Sequence, residues 1–176
     1  SGRTWLQVML GEYITRHYGL DVKNVIAIKQ YTKHLEDIPR IRFAHDFRPQ
    51  WHTPEKMQTD KTMYRHQKIL LLVRDPRDIL VSSFFVNTKR KPAKRGEKPR
   101  FTGTINEFVY QNIGGIDTII AFYNNWLKNK DVPDEFKIIR YEDLRRNTRD
   151  TFRDVLKYIG FSEVDEKILD EVLELG

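Results

Sequence analysis

Arg74 and Ser82, eight positions apart, carry the chemistry to hold an anion. A guanidinium offers a rigid fork of donors that matches a phosphate or carboxylate. A serine hydroxyl about two helical turns further on adds another donor. The residues between them, Asp75-Pro76-Arg77-Asp78 and onward, read as a charged turn opening into a helix. Pro76 suits the first helical position, where the missing N–H would have had no partner anyway. A plainer arrangement uses the same spacing: Arg74 pairs with Asp78, and Ser82 is a small packing residue. The spacing admits both.

Three other groups could do chemistry. Ser1-Gly2-Arg3-Thr4 stands at the start of a helical pattern. Free N–H groups and the positive helix end favour an anion there, Gly2 permits close backbone approach, and Arg3 adds a full charge. Serine and threonine are also the commonest helix caps, and the segment is not the full glycine-rich phosphate loop ending in Lys-Ser/Thr. Arg140-Tyr141-Glu142-Asp143-Leu144 succeeds an apolar stretch; Tyr141 could offer a ring face to a base, or it could be a core residue with the two acids opening a helix. His45, in Phe43-Ala44-His45-Asp46, could take a proton from a hydroxyl near neutral pH. Asp46 is its neighbour, but adjacent strand residues point to opposite faces, so the two are not read as a dyad. His17, His34, His52 and His66 do not sit at strand ends.

The elements that would position these groups alternate. Thr4–Tyr18 reads as a helix with Trp5, Val8, Met9 and Ile14 available for burial, capped by Gly19. Val25–Ile28 and Ile41–His45 read as short strands, and 46–67 as irregular. Ile69–Val73, apolar on both faces, reads as a fully buried parallel strand. Helices are expected from Pro76 to Asn87, Ile105 to Gln111 and Ile116 to Asn129, with another strand over Phe136–Ile139. Asn147 with Asp150, and Ser162 with Asp165, look like the starts of two final helices, the second with Val164, Ile168, Val172 and Leu175 on its apolar side. Strand–helix alternation predicts a three-layer α/β/α domain with a mainly parallel central sheet. Ligands of such sheets bind beyond the carboxyl ends of the strands, where Arg74, His45 and Tyr141 would lie. Two anion sites and a base point to a ligand with anionic groups at two ends.

The 176 residues are expected to form one domain, 1–176. The net charge of +6 has a single source: Lys89–Arg100 holds seven basic residues and one acid, and the remainder is neutral. Such a run with Pro and Gly is ordinarily solvated, and it lacks interleaved aromatics for base stacking. There is no cysteine, which removes disulfides, thiolate metal sites and cysteine nucleophiles and fits a cytoplasmic location. No apolar run reaches the length of a membrane span. The turn at Ser1 has no strand before it, so a strand ahead of Ser1 is expected.

Taken together, the groups resemble the sulfotransferase family that uses 3′-phosphoadenosine 5′-phosphosulfate. Ser1-Gly2-Arg3-Thr4-Trp5-Leu6 resembles its 5′-phosphosulfate loop, Phe43-Ala44-His45-Asp46 the segment of its catalytic histidine, and Ile139-Arg140-Tyr141-Glu142-Asp143-Leu144 the strand-end motif whose tyrosine lies near the adenine. Val73-Arg74-Asp75-Pro76-Arg77-Asp78-Ile79-Leu80-Val81-Ser82 is similar almost residue for residue to its 3′-phosphate motif. The resemblance covers nearly the whole chain.

It implies a P-loop nucleotide-hydrolase-like fold and sulfuryl transfer to an acceptor hydroxyl or amine. Ser1, Gly2, Arg3 and Thr4 would hold the 5′ end, Trp5 would pack on the adenine, Arg74 and Ser82 would grip the 3′-phosphate, and His45 would be the general base. The co-substrate would leave as 3′-phosphoadenosine 5′-phosphate, with no metal needed. The partner would be a small-molecule or carbohydrate acceptor, which the basic loop suits if it is anionic, and neither nucleic acid nor membrane. The chain departs from the pattern in three places: the basic residue before the Ser-Gly and the late Arg-Lys-Gly segment are absent, and Arg3 replaces a common hydroxyl residue. A chain trimmed at both ends, lacking an N-terminal strand and a C-terminal segment, is the reading that fits. The rivals are a P-loop nucleotide kinase, for which neither the phosphate-loop lysine nor an acidic magnesium site is visible, and a polyanion-binding module built on the basic loop.

Overall fold

The computed structural model describes residues 2–27, 40–88 and 101–175. The expected basic loop 89–100, His34 and Ser1 lie outside these residues. The chain divides into two compact units, one of His45–Lys137 and one of Gly2–Ala44 with Ile138–Gly176.

The second unit opens with α1 (Arg3–His17). Leu6, Met9, Leu10, Tyr13 and Ile14 are among its buried residues, the i, i+3, i+4, i+7, i+8 stripe of an amphipathic helix. The buried face is therefore turned from the expected one; Trp5 and Val8 are half-buried. Gly19 ends the helix as expected. Its φ of 60° is left-handed, and the N–H groups of Gly19 and Leu20 donate to the carbonyls of Arg16 and Thr15 at 3.3 and 2.9 Å, the doubled closure of a glycine C-cap.

The strand expected over Val25–Ile28 does not form among the described residues: Val25–Ala27 is a 3₁₀ turn. Asn24 causes it, because its side-chain oxygen accepts from the Ile26 N–H at 3.1 Å and its carbonyl accepts from the Ala27 N–H at 2.9 Å, a local alternative to sheet pairing. The later helices of this unit are α5 (Tyr141–Arg146), α6 (Thr148–Ile159) and α7 (Glu166–Leu173). α7 starts at Asp165 rather than Ser162: the Asp165 carboxylate accepts from the Lys167 and Ile168 N–H groups, and a charged cap suits the positive helix end. Asn147 precedes α6 without a side-chain cap; its amide instead donates to Asp150 at 3.0 Å. The core joins Tyr13, Leu144, Phe152, Val155, Leu156 and Leu169, all fully buried. Leu169 replaces the expected Leu175, which is 58% exposed.

The first unit contains β1 (Lys68–Val73), α2 (Pro76–Thr88), α3 (Ile105–Tyr110) and α4 (Ile116–Lys128). β2 (Glu135–Arg140) begins in this unit and pairs with β1. The pairing is parallel: Asp134 N–H donates to the Gln67 carbonyl at 3.1 Å and Lys68 pairs with Glu135 at 2.7 Å, so both strands start at the same end. The protein is thus of the α/β class with a parallel sheet. β1 is half-buried rather than fully buried, since a sheet of two described strands leaves each an open edge. Ile41–His45 is not in a strand either; it is irregular chain leading into a turn. α3 starts on a capping box not anticipated from the sequence, Thr104 with Glu107. No helix of the described residues is long and apolar enough to cross a membrane.

Candidate functional site

β1 ends at Val73, and Arg74 and Asp75 form the whole connection to α2. Asp75 caps the helix: its carboxylate accepts from the Arg77 N–H at 2.9 Å, with Pro76 in the first helical position. The Arg77 guanidinium folds back on the same carboxylate, with its closest contact at 2.6 Å. Arg74 is aimed along α2 instead. Its Nε and Nη2 donate to Asp78 at 3.3 and 3.1 Å. Ser82 is one turn beyond Asp78, on the same helix face, and is exposed. The salt bridge of the plainer arrangement is therefore present, but Ser82 is not a packing residue. Arg74, Asp78 and Ser82 make a column of polar groups rising from the strand end. The bridge involves a half-exposed carboxylate, and pairs of that kind contribute about 0–1 kcal/mol.

The backbone of Arg74 is held by Tyr123 of α4. The Tyr123 hydroxyl accepts from the Arg74 N–H at 3.0 Å and donates to the Arg74 carbonyl at 3.0 Å.

His45 is exposed and opens a turn rather than ending a strand. Asp46, Phe47 and Arg48 come next, with φ of 21°, 57° and 56°. Three successive non-glycine residues in or near the left-handed region cost about 1–2 kcal/mol each, so something must hold them. The turn closes on itself, with the Arg48 N–H donating to the His45 carbonyl at 2.6 Å. Asp46 anchors it from below: Lys61 Nζ lies 2.8 Å from Asp46 Oδ2, with the two side chains 1% and 8% exposed. Tyr64 donates to Asp46 Oδ1 at 2.6 Å. Lys61 also donates to the Gln58 carbonyl at 2.7 Å and sits 5.2 Å from the Trp126 ring centroid, so the buried ammonium is satisfied by charge, carbonyl and π-face. Asp46 is thus engaged by Lys61 and Tyr64. Nothing in the residue pattern around Lys61 marked it for this place.

Two of the other histidines are engaged elsewhere. His17 stacks on Tyr13 with centroids 5.6 Å apart and meets Phe161 edge-on, and His66 lies 3.7 Å from Asp134.

In the second unit Gly2 precedes α1 with a left-handed φ of 76° and no side-chain hydrogen bond at the cap. Thr4 lies inside the helix and is not its cap. The Tyr141 ring lies against Gly2 so closely that a Cβ there would collide with it, one ring carbon falling 2.6 Å away. Trp5 meets the same ring edge-on, with centroids 6.2 Å apart. Tyr141 is half-buried at the end of β2. An uncapped helix N-terminus with no acid in its first turn and Arg3 at its first position is thus combined with two aromatic rings. Among the described residues no three histidine or carboxylate side chains converge to hold a metal ion.

A family model described as "Sulfotransferase domain" matches residues 1–175. Similar curated proteins include sulfotransferase 2A6 of Rattus norvegicus, 27% identical over 123 residues, which cover 70% of this chain and 42% of the rat protein. Sulfotransferase 2A2 of Mus musculus is 27% identical over 109 residues, 62% of this chain and 37% of the relative. The 3-beta-hydroxysteroid sulfotransferase of Cavia porcellus is 26% identical over 93 residues, 53% of this chain and 31% of the relative. The chain spans less than half the length of these relatives. No solved structure matches.

Proposed function

The chain belongs to the sulfotransferase-domain family, and from that premise we propose that it transfers a sulfuryl group from 3′-phosphoadenosine 5′-phosphosulfate to the hydroxyl or amine of a small-molecule acceptor. The observation that carries the proposal is the start of α1: Gly2 leaves the helix N-terminus without a side-chain cap, and the Tyr141 ring lies against it beside Trp5. The residues present suit the donor. N–H groups and Arg3 can take its 5′ anion, Trp5 and Tyr141 offer apolar ring surface to its adenine, and Arg74 with Ser82 can take its 3′-phosphate.

When bound, the donor supplies a sulfuryl group already attached to a phosphate leaving group. The protein's own task is positioning and charge stabilisation. Arg3 and the first N–H groups of α1 hold negative charge, while Arg74 and Ser82 orient the other end. His45 takes the acceptor proton on an imidazole nitrogen. Its strained turn, fixed by a buried ion pair, supports that role, since strained backbone clusters at functional sites. The domain is read as one sulfotransferase domain of cytoplasmic location, and the name of the guinea-pig relative makes a hydroxysteroid the first acceptor to try.

The test uses the full-length protein. Calorimetry should detect adenosine 3′,5′-bisphosphate, and labelled sulfur from the phosphosulfate donor, not phosphate from ATP, should appear on the acceptor. His45→Ala should lower turnover by about 10²–10⁴ and leave bisphosphate binding within about twofold. Turnover retained in that variant would reject His45 as the base; label from ATP would favour the kinase.

A further inference from the structure

The backbone at the end of β1 is held by a residue far from it in sequence. Arg74 is the first residue beyond the strand, where ladder hydrogen bonds run out and backbone polar groups need other partners. Tyr123, 49 residues later and half-buried on α4, supplies a partner on both sides. One phenol accepts the Arg74 N–H and donates to the Arg74 carbonyl, each at 3.0 Å, and so replaces one rung of a sheet with a side chain. The guanidinium of the same arginine rests on Asp78, a carboxylate that is 55% exposed. The backbone is thus held by two hydrogen bonds to one phenol, and the side chain has an exposed carboxylate among its partners.

We propose that Tyr123 is a positioning residue for the nucleotide's 3′-phosphate: it fixes the backbone of Arg74 so that the guanidinium can exchange Asp78 for the phosphate without the strand end moving. This rests on the reading of Arg74 as the 3′-phosphate ligand. The physical reason is preorganisation. A long cation on a loose backbone must lose conformational freedom on binding, whereas one on a backbone already held by two hydrogen bonds loses only side-chain freedom. Tyr123 itself need not touch the ligand.

The experiment is a titration of the full-length protein with adenosine 3′,5′-bisphosphate and with adenosine 5′-monophosphate, which lacks the 3′-phosphate. The unaltered protein should prefer the bisphosphate. Tyr123→Phe removes both hydrogen bonds with little change of shape, and should weaken bisphosphate binding about tenfold while leaving the monophosphate within about twofold. In an Arg74→Ala background the same change should have no further effect, because its target is gone. If the unaltered protein shows no preference, the 3′-phosphate reading itself fails. If the preference exists and Tyr123→Phe keeps it, or if the loss is equal for both nucleotides or persists in the Arg74→Ala background, the positioning role is overturned. Should Tyr123→Phe not fold, amide exchange on the unaltered protein decides. The Arg74 N–H should already exchange slowly without nucleotide, and fast exchange there in the unbound protein would overturn the proposal.

Discussion

At the scale of single residues, the two that most constrain the proposed site work through backbone rather than through charge. Tyr123 holds the backbone of Arg74, and Gly2 holds a left-handed φ with no room for a Cβ beside Tyr141. Gly2→Ala therefore faces about 1–2 kcal/mol of backbone strain as well as displacement of the ring, and should weaken adenosine 3′,5′-bisphosphate binding roughly tenfold. Isothermal titration checks this, and affinity unchanged within about twofold would separate the loop conformation from binding. Arg74 and Asp78 form the salt bridge of the plain reading, while Ser82 is exposed rather than packed. Lys61 and Tyr123 had no sequence signal at all. A lysine in a polar, irregular stretch and a tyrosine inside a helix look ordinary until the chain brings one beneath Asp46 and the other against Arg74.

At the scale of elements, local chemistry placed most helix and strand limits. Pro76, Gly19 and the apolar stretches at β1 and β2 set boundaries within a residue or two of those observed. The two early strands failed because Asn24 closes a local turn and because His45 leads into positive φ, neither of which an apolar run reports. α6 and α7 are joined by a charge network: Arg153 meets both oxygens of Glu166 at 2.8 Å, and Arg149 bridges Glu166 and Asp170 at 2.7 and 2.8 Å. The hydrogen bonds from Arg153 hold the Glu166 carboxyl below the usual carboxylate range, and Asn147 does the same for Asp150. A depressed carboxylate contributes stability above its unfolded pKa, about 4, and loses it as pH falls through the folded value. Glu166→Gln should therefore lower the melting temperature at pH 7, and the difference should shrink in acid as the folded carboxylate is protonated. Because the pairs are exposed, the difference should also shrink in high salt. Melts at pH 7 and at successively lower pH decide it; a difference that does not shrink in acid would show that the network acts by packing instead.

At the scale of the whole molecule, the excess charge of +6 resides in residues 89–100 while the rest is neutral. Replacing Lys89, Arg90, Lys91, Lys94 and Arg95 with glutamine should raise the KM of an anionic acceptor and flatten its salt dependence, with bisphosphate binding little changed. Equal acceptor kinetics would reject a role for this basic segment. Family membership was legible in contiguous motifs, above all Val73–Ser82, and short contiguous motifs are what a sequence displays directly. The sequence by itself determined the α/β class, a first helix from Thr4, one residue from the observed start, the strand-to-helix junction at Arg74 and the localisation of charge, because each depends on residues within one or two helical turns of one another. Only the tertiary structure decided that Tyr141 closes over Gly2, that Asp46 belongs to a buried lysine, and that Tyr123 holds the backbone of Arg74. Those contacts join residues distant in sequence, and their energies depend on burial and hydrogen-bond geometry, which exist only once the chain has folded.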